Sequence, residues 1–527
     1  MKPLILPAVA AALALLTVSC GGGGASPSNT PPPPTGTFTN ASLKGTYSFS
    51  MSGTDASANP GAFIARVGSF VADGNGNITM GMEDVIDGNA LNSGVQFTGG
   101  TYSIQANGKG TLTLNSLNGG LALTIALNSA SKGVMIQTDL NATSSGSFTL
   151  QSANSFATSA IAGPYVFDVA GTDSNGAPIS VVGQIVTNSG TITTGIFDSN
   201  DGGLNPPLTP AQTFAGGTYA LDATGDGTTF GRGMFSFAGR TFVFYIVDST
   251  RIRLLETDGQ LFTFGDALQQ SGAPTQPTAA SFAFLIGASG VLGTAGPVAR
   301  GARFTTDASG NLTNIQLQDN DSGTVTAVGN GTTIQNAKFT IDAANPGTGR
   351  GTLTFTAASN PGTGTFSFVL YFASATQAFI QDTSNGIVGD GTMLAQSGAT
   401  SNASLAGNYV FNWSGVVRPS SANVGFEEDF AGQYAQTSSG SLSGAVDFVE
   451  PGTTSNHPLF ANSLASGTLT LNGDGTGSND YKVTISSAGV SSNTFSFKAF
   501  IASGNTVFLV GTDSNQVLAG SATPQTQ

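Results

Sequence analysis

The chain has 527 residues, only 9% of them charged, and its formal net charge is −14. A chain this acidic lacks the basic patch that neutralises phosphates, which argues against nucleic-acid binding. A single Cys and a single His exclude a disulfide framework and a zinc cluster of Cys and His ligands. Hydrophobic residues make up 39% of the chain, including 35 Phe, so material for folded cores is ample.

The first segment of the chain predicts export. Lys2 precedes an apolar run, Leu4 to Val18, that is too short for a permanent membrane span but fits the core of a signal peptide. The run ends at Leu16-Thr17-Val18-Ser19-Cys20, which resembles the lipobox of bacterial lipoproteins, with Leu one residue further from the Cys than is usual. By this resemblance, residues 1–19 are a signal peptide and Cys20 is the acylated first residue of the mature chain.

Residues 20–40 predict a tether behind that lipid. Gly21 to Gly24 and Pro31 to Pro34 lie in it, and such segments cannot bury a core. At about 3.3 Å per residue the extended segment reaches roughly 60 Å. The lipid on Cys20 is therefore the predicted membrane anchor. Gly21 follows the Cys where, in similar lipoproteins, Asp favours inner-membrane retention, which points to the outer membrane or cell surface.

Beyond residue 40 the same succession of strands occurs four times. The first strand of each copy carries two aromatic residues on one face, and the leading one recurs at intervals of 118, 117 and 127 residues. The residues predicted to point into the cores are Tyr47 and Phe49, Tyr165 and Phe167, Phe282 and Phe284, and Tyr409 and Phe411. Their neighbours Ser48, Asp168 and Asn412 are predicted to point outward.

Two further landmarks mark the copies. A tight-turn signal follows the second strand, because Gly supplies the positive backbone angles of such turns, at Gly76, Gly190, Gly310 and Gly440. The first three copies close on a Gln-Ser pair, at residues 151–152, 270–271 and 396–397, whereas the fourth ends in Ala522 to Gln527 without one.

Each copy contains about eight short strands with frequent turn signals. This pattern predicts an all-β fold of four tandem antiparallel domains, each a small closed barrel of the lipocalin or avidin kind, since closure removes the sheet edges. An immunoglobulin-like sandwich is the alternative. The predicted domains are residues 41–154, 155–274, 275–400 and 401–527, each able to fold alone.

An acidic pair follows the turn Gly in every copy. Its first member stands 8, 8, 9 and 7 residues after that Gly, and its second 11, 11, 11 and 10 residues after it. The pairs are Asp84 and Asp87, Asp198 and Asp201, Asp319 and Asp321, and Asp447 and Glu450. Several oxygens in one loop suit a hard cation, so calcium is the one cofactor that these residues could hold. The alternative is that they only cap turns and keep a barrel rim soluble, with no cofactor at all.

No catalytic arrangement is evident. The single histidine, His457, stands beside Pro458 in a predicted loop with no nucleophile motif nearby. The sequence predicts a lipid-anchored, non-enzymatic repeat protein of the bacterial envelope, resembling tandem-repeat surface lipoproteins, with a binding, adhesive or structural role toward an unknown surface ligand or protein. Alternatives are a carrier of small apolar ligands inside the barrels and, less favoured, a polysaccharide hydrolase. A packed interior would favour the scaffold over the carrier.

Overall fold

The structure is a computed structural model that describes residues 37–526, apart from residues 56–60, 118, 140–141, 293–295, 330–331, 360–361, 397–400, 418–425, 450–458, 472–478 and 487–491. Cys20, the predicted signal peptide and most of the tether lie outside the described residues, as do Glu450 and His457.

The described chain is almost entirely strand and forms four antiparallel sheets, one for each copy of the repeat. Barrel 1 consists of β1 (Lys44–Asp55), β2 (Ala62–Asp73), β3 (Asn77–Asp87), β4 (Ala90–Ile104), β5 (Lys109–Ser116), β6 (Gly119–Ser129), β7 (Lys132–Gln137) and β8 (Ala142–Leu150). Barrel 2 consists of β9 (Gly163–Asp173), β10 (Pro178–Asn188), β11 (Thr191–Asp201), β12 (Leu208–Ala215), β13 (Gly217–Leu221), β14 (Arg232–Phe237), β15 (Arg240–Asp248), β16 (Arg251–Glu256) and β17 (Leu261–Gln269).

Barrel 3 consists of β18 (Ala280–Gly290), β19 (Gly296–Thr306), β20 (Leu312–Asp321), β21 (Thr324–Val328), β22 (Ile334–Ile341), β23 (Arg350–Ser359), β24 (Gly362–Ser374), β25 (Gln377–Asp382) and β26 (Ile387–Ala395). Barrel 4 consists of β27 (Gly407–Val417), β28 (Phe426–Gln436), β29 (Ser441–Val449), β30 (Leu459–Thr470), β31 (Asn479–Ser486), β32 (Asn493–Ile501), β33 (Val507–Gly511) and β34 (Gln516–Pro524). The described helices are one short α-helix, α1 (Asp226–Phe230), and 3-10 turns at Asn40–Ser42, Ala153–Ser155, Thr158–Ala160, Asn402–Leu405 and Ser503–Asn505.

Each sheet is built on eight strand positions. Barrels 1 and 4 are closed, with the first strand paired to the last. In barrels 2 and 3 the fourth position is divided into two strands, so their sheets contain nine. β11 pairs with both β10 and β13 in barrel 2, and a single bridge between Asn311 and Lys338 joins the two edges of barrel 3. The predicted all-β fold of four tandem barrels is confirmed.

The turn glycines fix the second hairpin of every barrel. Gly76, Gly190, Gly310 and Gly440 all have φ between 78° and 103°, a conformation that residues with a Cβ avoid. The carbonyl oxygen of each accepts a hydrogen bond from the fourth strand position, as Gly76 does from the backbone N–H of Tyr102 at 2.8 Å. The turn therefore sets the register of three strands at once.

The barrel interiors are filled by aromatic side chains. All eight first-strand aromatic residues predicted to point inward belong to the four buried cores, which confirms the predicted register. Tyr47 stacks on Phe70 with ring centroids 5.5 Å apart, and Phe411 stacks on Trp413 at 4.3 Å. A cavity beside Tyr434 and Tyr481 measures about 10 Å³, which is room for about one water molecule.

Ser48 shows what lies on the other face of the first strand. It points out of barrel 1 as predicted, yet it is fully buried. Its face is covered by the next barrel along the chain rather than by solvent.

Candidate functional site

Neighbouring barrels pack side by side through the same strands each time. The first two strand positions of one barrel lie against the last three of the next, and we call each such interface a seam. Seam 1–2 joins β1 and β2 to β15–β17, seam 2–3 joins β9 and β10 to β24–β26, and seam 3–4 joins β18 and β19 to β32–β34. The fourth, seam 4–1, joins β27 and β28 to β6–β8. The chain is thus a closed ring of four barrels.

Seams 1–2, 2–3 and 3–4 have apolar centres. Seam 1–2 buries Phe63, Val67, Met82, Val243 and Leu255, and clusters of similar character fill the next two seams. In seam 4–1 the described apolar cluster is smaller, with Ile136, Ala431 and Val449 buried at its centre. The seam that closes the ring therefore relies more on polar contacts.

A glutamine after the last strand of each barrel clasps the next barrel. The side-chain amide of Gln151 donates to the backbone carbonyls of Phe230 (2.7 Å) and Ile246 in barrel 2. Gln270 does the same to Thr348 (2.8 Å) and Phe372 (2.7 Å) in barrel 3, and Gln396 donates to Ile501 of barrel 4 at 3.2 Å. Because backbone carbonyls need donors when they are buried, the clasp satisfies them while joining two barrels.

Gln525 supplies the fourth clasp, which the sequence analysis did not recognise. Its amide donates to the carbonyls of Asn107 (2.9 Å) and Leu127 (2.8 Å) in barrel 1, and the backbone N–H of Thr526 donates to Asn128 at 2.7 Å. Ser152 and Ser271 make the same backbone bond in the first two seams. In the fourth copy Gln525 and Thr526 therefore correspond to the Gln-Ser pair of the other copies. The pair was not recognised from the sequence because its second residue is Thr rather than Ser.

Three of the predicted acidic residues lie in the seams and face a basic residue of the next barrel. Asp84 pairs with Arg232 (2.7 Å) and Asp198 with Arg350 (2.7 Å), each in a two-pronged contact. Asp447 pairs with Lys109 of barrel 1 at 2.5 Å. The three basic residues each begin the fifth strand position of their barrel, followed by Gly.

Asp84 shows how fully these carboxylates are engaged. Its side chain is fully buried, and besides Arg232 it accepts hydrogen bonds from Ser93, from the backbone N–H of Gly94 (2.9 Å) and from the hydroxyl of Tyr245 (2.7 Å). Gly94 stands in a bulge of β4 with φ 68°. The acid therefore caps a bulge in its own barrel and neutralises a cation of the next.

The same arrangement recurs in two other seams. Asp198 accepts from the bulge N–H of Ala211 and from the hydroxyl of Tyr371, and Asp447 accepts from the bulge N–H of Asn462. Burial lowers the pKa of Lys109 despite the opposing charge of Asp447, whereas the hydrogen bond and charge of Asp198 outweigh burial and raise the pKa of Arg350. These pairs are desolvated contacts rather than surface ion pairs.

Asp319 does not occupy the position of the other three acids. In barrel 3 the position of these acids is held by Gln318. It lies opposite Gly301 on the second strand, just as Asp84 lies opposite Val67 and Asp198 opposite Val182 at the equivalent positions of their barrels. A one-residue difference moves a side chain to the other face of a strand, so Asp319 points into barrel 3. There it pairs with the buried Arg300 (3.1 Å), which also contacts Asp382.

Seam 3–4 accordingly has no acid–base pair at this point. Barrel 3 carries Gln318 where the other barrels carry the acid, and the described part of β31 in barrel 4 begins at Asn479, which lies at the strand position that Gly233 occupies in barrel 2. The neighbouring Asn320 still joins the barrels, because its side-chain amide donates to the carbonyls of Gly511 (3.1 Å), Asp513 (3.1 Å) and Gln516 (2.7 Å).

The second acids lie at the end of the third strand position. Asp87 and Asp201 stand three residues after Asp84 and Asp198, so the members of each pair lie on opposite faces of one strand. Asp201 accepts the N–H of Gly203 at 2.9 Å, and burial raises the pKa of both Asp87 and Asp201. Asp321 ends β20 at the equivalent position.

Calcium binding at the pairs stays a prediction, and the geometry gives little support for it. No group of three or more His, Cys, Asp or Glu side chains that could hold a metal is found among the described residues. Both oxygens of Asp84 and of Asp198 already accept hydrogen bonds from the next barrel.

The seams also contain charged residues that the sequence analysis did not assign to a site. Arg253 is fully buried in seam 1–2, where it donates to the hydroxyls of Ser50, Ser147 and Thr149, and burial lowers its pKa to about 9. In seam 2–3 Asp168 meets Asp390; burial and then the neighbouring charge raise the pKa of Asp168. Strand alternation predicts that such residues point outward, but not that another barrel covers them.

Comparison with known proteins leaves the chain without an established family. No protein family model and no curated protein matches it. Matching solved structures include kievitone hydratase from Nectria haematococca, which is 9% identical and covers 46% of this chain and 91% of its own, with a TM-score of 0.20. Transferrin binding protein B from serogroup B Neisseria meningitidis is 10% identical and covers 75% of this chain and 85% of its own, with a TM-score of 0.20. Its counterpart from Haemophilus parasuis Hp5 is 10% identical over 75% and 84%, with a TM-score of 0.18. Likenesses at this level carry no argument about function.

Among the described residues no helix is both long enough and apolar enough to cross a membrane.

Proposed function

We propose that this protein is a lipid-anchored, non-enzymatic scaffold of the bacterial envelope that presents a rigid ring to a surface ligand or protein partner. The observation that carries the proposal is the closed ring of four barrels with filled interiors. Ligand pockets for small molecules usually measure about 300–1,000 Å³, which a packed barrel does not provide. The filled interiors therefore favour a scaffold over a carrier of small apolar ligands.

The course of the chain supports an orientation for the ring. Phe38 is buried against barrel 1 and donates its backbone N–H to Ala106 at 3.3 Å, at the same end of barrel 1 where Gln525 and Thr526 dock. A tether from a lipid on Cys20 would thus hold this end toward the membrane. The opposite end of the ring, where the first and second strand positions connect, would face away from it and meet the partner.

Acylation of Cys20 tests the anchor. Radiolabelled palmitate should enter the wild-type chain but not Cys20→Ala, and fractionation should move the variant from the membrane to the soluble fraction. Protease added to intact cells then reports whether the ring is exposed at the surface. Equal labelling of the two chains, or a wild-type chain in the soluble fraction, would refute the lipid-anchored part of the proposal.

A further inference from the structure

Seam 4–1 contains two buried carboxylates that form an ion pair with no basic residue of the described chain. Glu427 and Asp429 stand two residues apart on β28, so both face barrel 1. They are 6% and 0% exposed. Neither forms an ion pair within the part of the chain that the structure describes, and both oxygens of Asp429 and Oε2 of Glu427 have no hydrogen-bond partner there.

Hydroxyl groups of barrel 1 surround the two acids. Thr54 and Thr143 face Glu427, and Ser145 faces Asp429. The Thr143 hydroxyl is buried beside Glu427. The backbone of Gly53 also approaches, since a Cβ built there would lie 2.8 Å from Oε1 of Glu427. Within the described ranges the site thus offers oxygen atoms from two barrels and no basic side chain.

The two acids are particular to the seam that closes the ring. The strand pairing places Phe63, Pro178 and Pro297 at the position of Glu427, and Ala65, Ser180 and Ala299 at that of Asp429. All six are uncharged, so the shared fold does not require acids here. Moreover, seam 4–1 joins the two ends of the chain, and its described apolar cluster is the smallest of the four.

An isolated pair of buried carboxylates is costly to keep ionised. Removing a charge from water costs several kcal/mol even after relaxation, unless an opposite charge compensates it. Burial raises the pKa of Asp429 to about 8, and burial and the charge of Asp429 raise that of Glu427. Either a proton or a cation must therefore relieve the pair.

We propose that Glu427 and Asp429 bind one divalent cation, calcium by preference, and that this ion locks the ring at seam 4–1. Calcium is a hard cation that takes carboxylate, hydroxyl, carbonyl and water oxygens in flexible geometry, and such donors surround the site. An ion that binds the closed ring more tightly than the open one stabilises closure by mass action. The site differs from the acidic pairs that follow the turn glycines.

Calorimetric titration of the metal-free full chain with calcium or magnesium chloride at pH 7.5 tests the proposal. We expect one calcium ion per chain in the wild type and no binding by the E427Q/D429N variant. The control D480N removes an exposed charge that pairs with Lys498 and lies outside seam 4–1, and it should bind as the wild type does. If the double variant does not fold, the single variant E427Q should bind at least 10-fold more weakly.

A second readout reports on the seam itself. Calcium should raise the Tm of the wild type and leave that of E427Q/D429N unchanged. Absence of calcium binding at pH 7.5 and again at pH 9 would overturn the proposal and leave a shared proton as the explanation. Undiminished stoichiometry in the double variant would overturn it as well and would direct attention to the other acidic pairs.

Discussion

The acid–base contacts of the seams are buried, charge-assisted hydrogen bonds that join one barrel to the next. Asp84 illustrates them, because it is fully buried and satisfies a bulge N–H, a tyrosine hydroxyl and the guanidinium of Arg232 together. Removing one member of such a pair leaves the other charged and buried. The loss therefore exceeds what a surface ion pair would contribute.

Asp84→Asn should lower the free energy of unfolding by about 1.5–3 kcal/mol, because Arg232 and Tyr245 lose their hydrogen bonds to a buried charged group, while Arg232 keeps its contact with Asp222. Denaturant unfolding of the full chain measures the change. The matched control is Asp480→Asn, whose side chain is 59% exposed, and its loss should stay below about 1 kcal/mol. Similar losses for the two variants would show that seam 1–2 does not desolvate the pair.

Asp168 and Asp390 make seam 2–3 sensitive to pH. Because burial and the neighbouring acid raise the pKa of Asp168, folding favours its protonated form, and the stability that it contributes is greatest at low pH. That contribution falls as the pH rises above about 4, the ordinary value of an Asp, toward the raised value in the ring.

Asp168→Asn should remove this dependence, since the amide can donate to Asp390 at any pH. Between pH 5 and pH 8 the Tm of the wild type should fall more than that of the variant, and at pH 8 the variant should be the more stable. Thermal unfolding followed by circular dichroism at both pH values provides the comparison. Parallel pH profiles would mean that the two acids do not share a proton.

The acids that follow the turn glycines show how far their positions could be predicted from the sequence. Counting from the turn glycine located Asp84 and Asp198 correctly, but in barrel 3 it selected Asp319 instead of Gln318. A count one residue too long reverses the face of a strand. In barrel 4 Asp447 follows the turn glycine by seven residues instead of eight. It still points outward, because β28 and β29 pair without the bulge that adds one residue in the other barrels. Bulges are local backbone events that a residue pattern does not reveal.

At the scale of strands, alternation was enough to predict the cores. The four first strands need only a period of two and large aromatic residues, and the structure places Tyr47, Tyr165, Phe282 and Tyr409 in the four barrel interiors. The number of strand positions followed from the spacing of turns. The division of the fourth position in barrels 2 and 3 did not, because it depends on how that strand meets its neighbours.

Phe49→Ala tests the importance of the first strand. Phe49 is fully buried and contacts the rings of Phe70 and Phe97, so its truncation should cost about 3–5 kcal/mol through lost transfer energy and a cavity. Leu117→Ala is the control, because that side chain is 92% exposed and its loss should change stability by less than about 0.5 kcal/mol. A loss below about 1 kcal/mol for Phe49→Ala would contradict the packing of barrel 1.

At the scale of the whole molecule the ring is the main feature that sequence reasoning did not foresee. The repeats suggested four units able to fold alone, and nothing in their spacing indicates that the fourth returns to the first. The signal was present in the chain, since Asp447 and Lys109 fall at positions equivalent to Asp84 and Arg232. This signal can be recognised only when the acid of one copy is compared with the base of the next copy.

A cross-link across seam 4–1 tests closure directly. The side chains of Asn128 and Thr523 are hydrogen-bonded between barrels 1 and 4, although they lie far apart in sequence. In a chain carrying Cys20→Ala, the variant N128C/T523C should form an intramolecular disulfide under mild oxidation and migrate faster on non-reducing gels. N128C alone should not change its mobility. Only dimers, or no disulfide at all, would mean that the two ends of the chain do not meet.

Closure at four barrels has a consequence for shorter forms of the chain. Each barrel has a leading face, formed by its first two strand positions, and a receiving face, formed by its last three. The leading face of one barrel packs against the receiving face of the next, so the two faces are complementary. In the ring all eight faces are covered. A gene product with three barrels would leave one leading and one receiving face bare, and if three barrels cannot curve round to meet, such molecules would join head to tail into filaments. Closure by the fourth barrel thus leaves none of these faces free to bind a further copy.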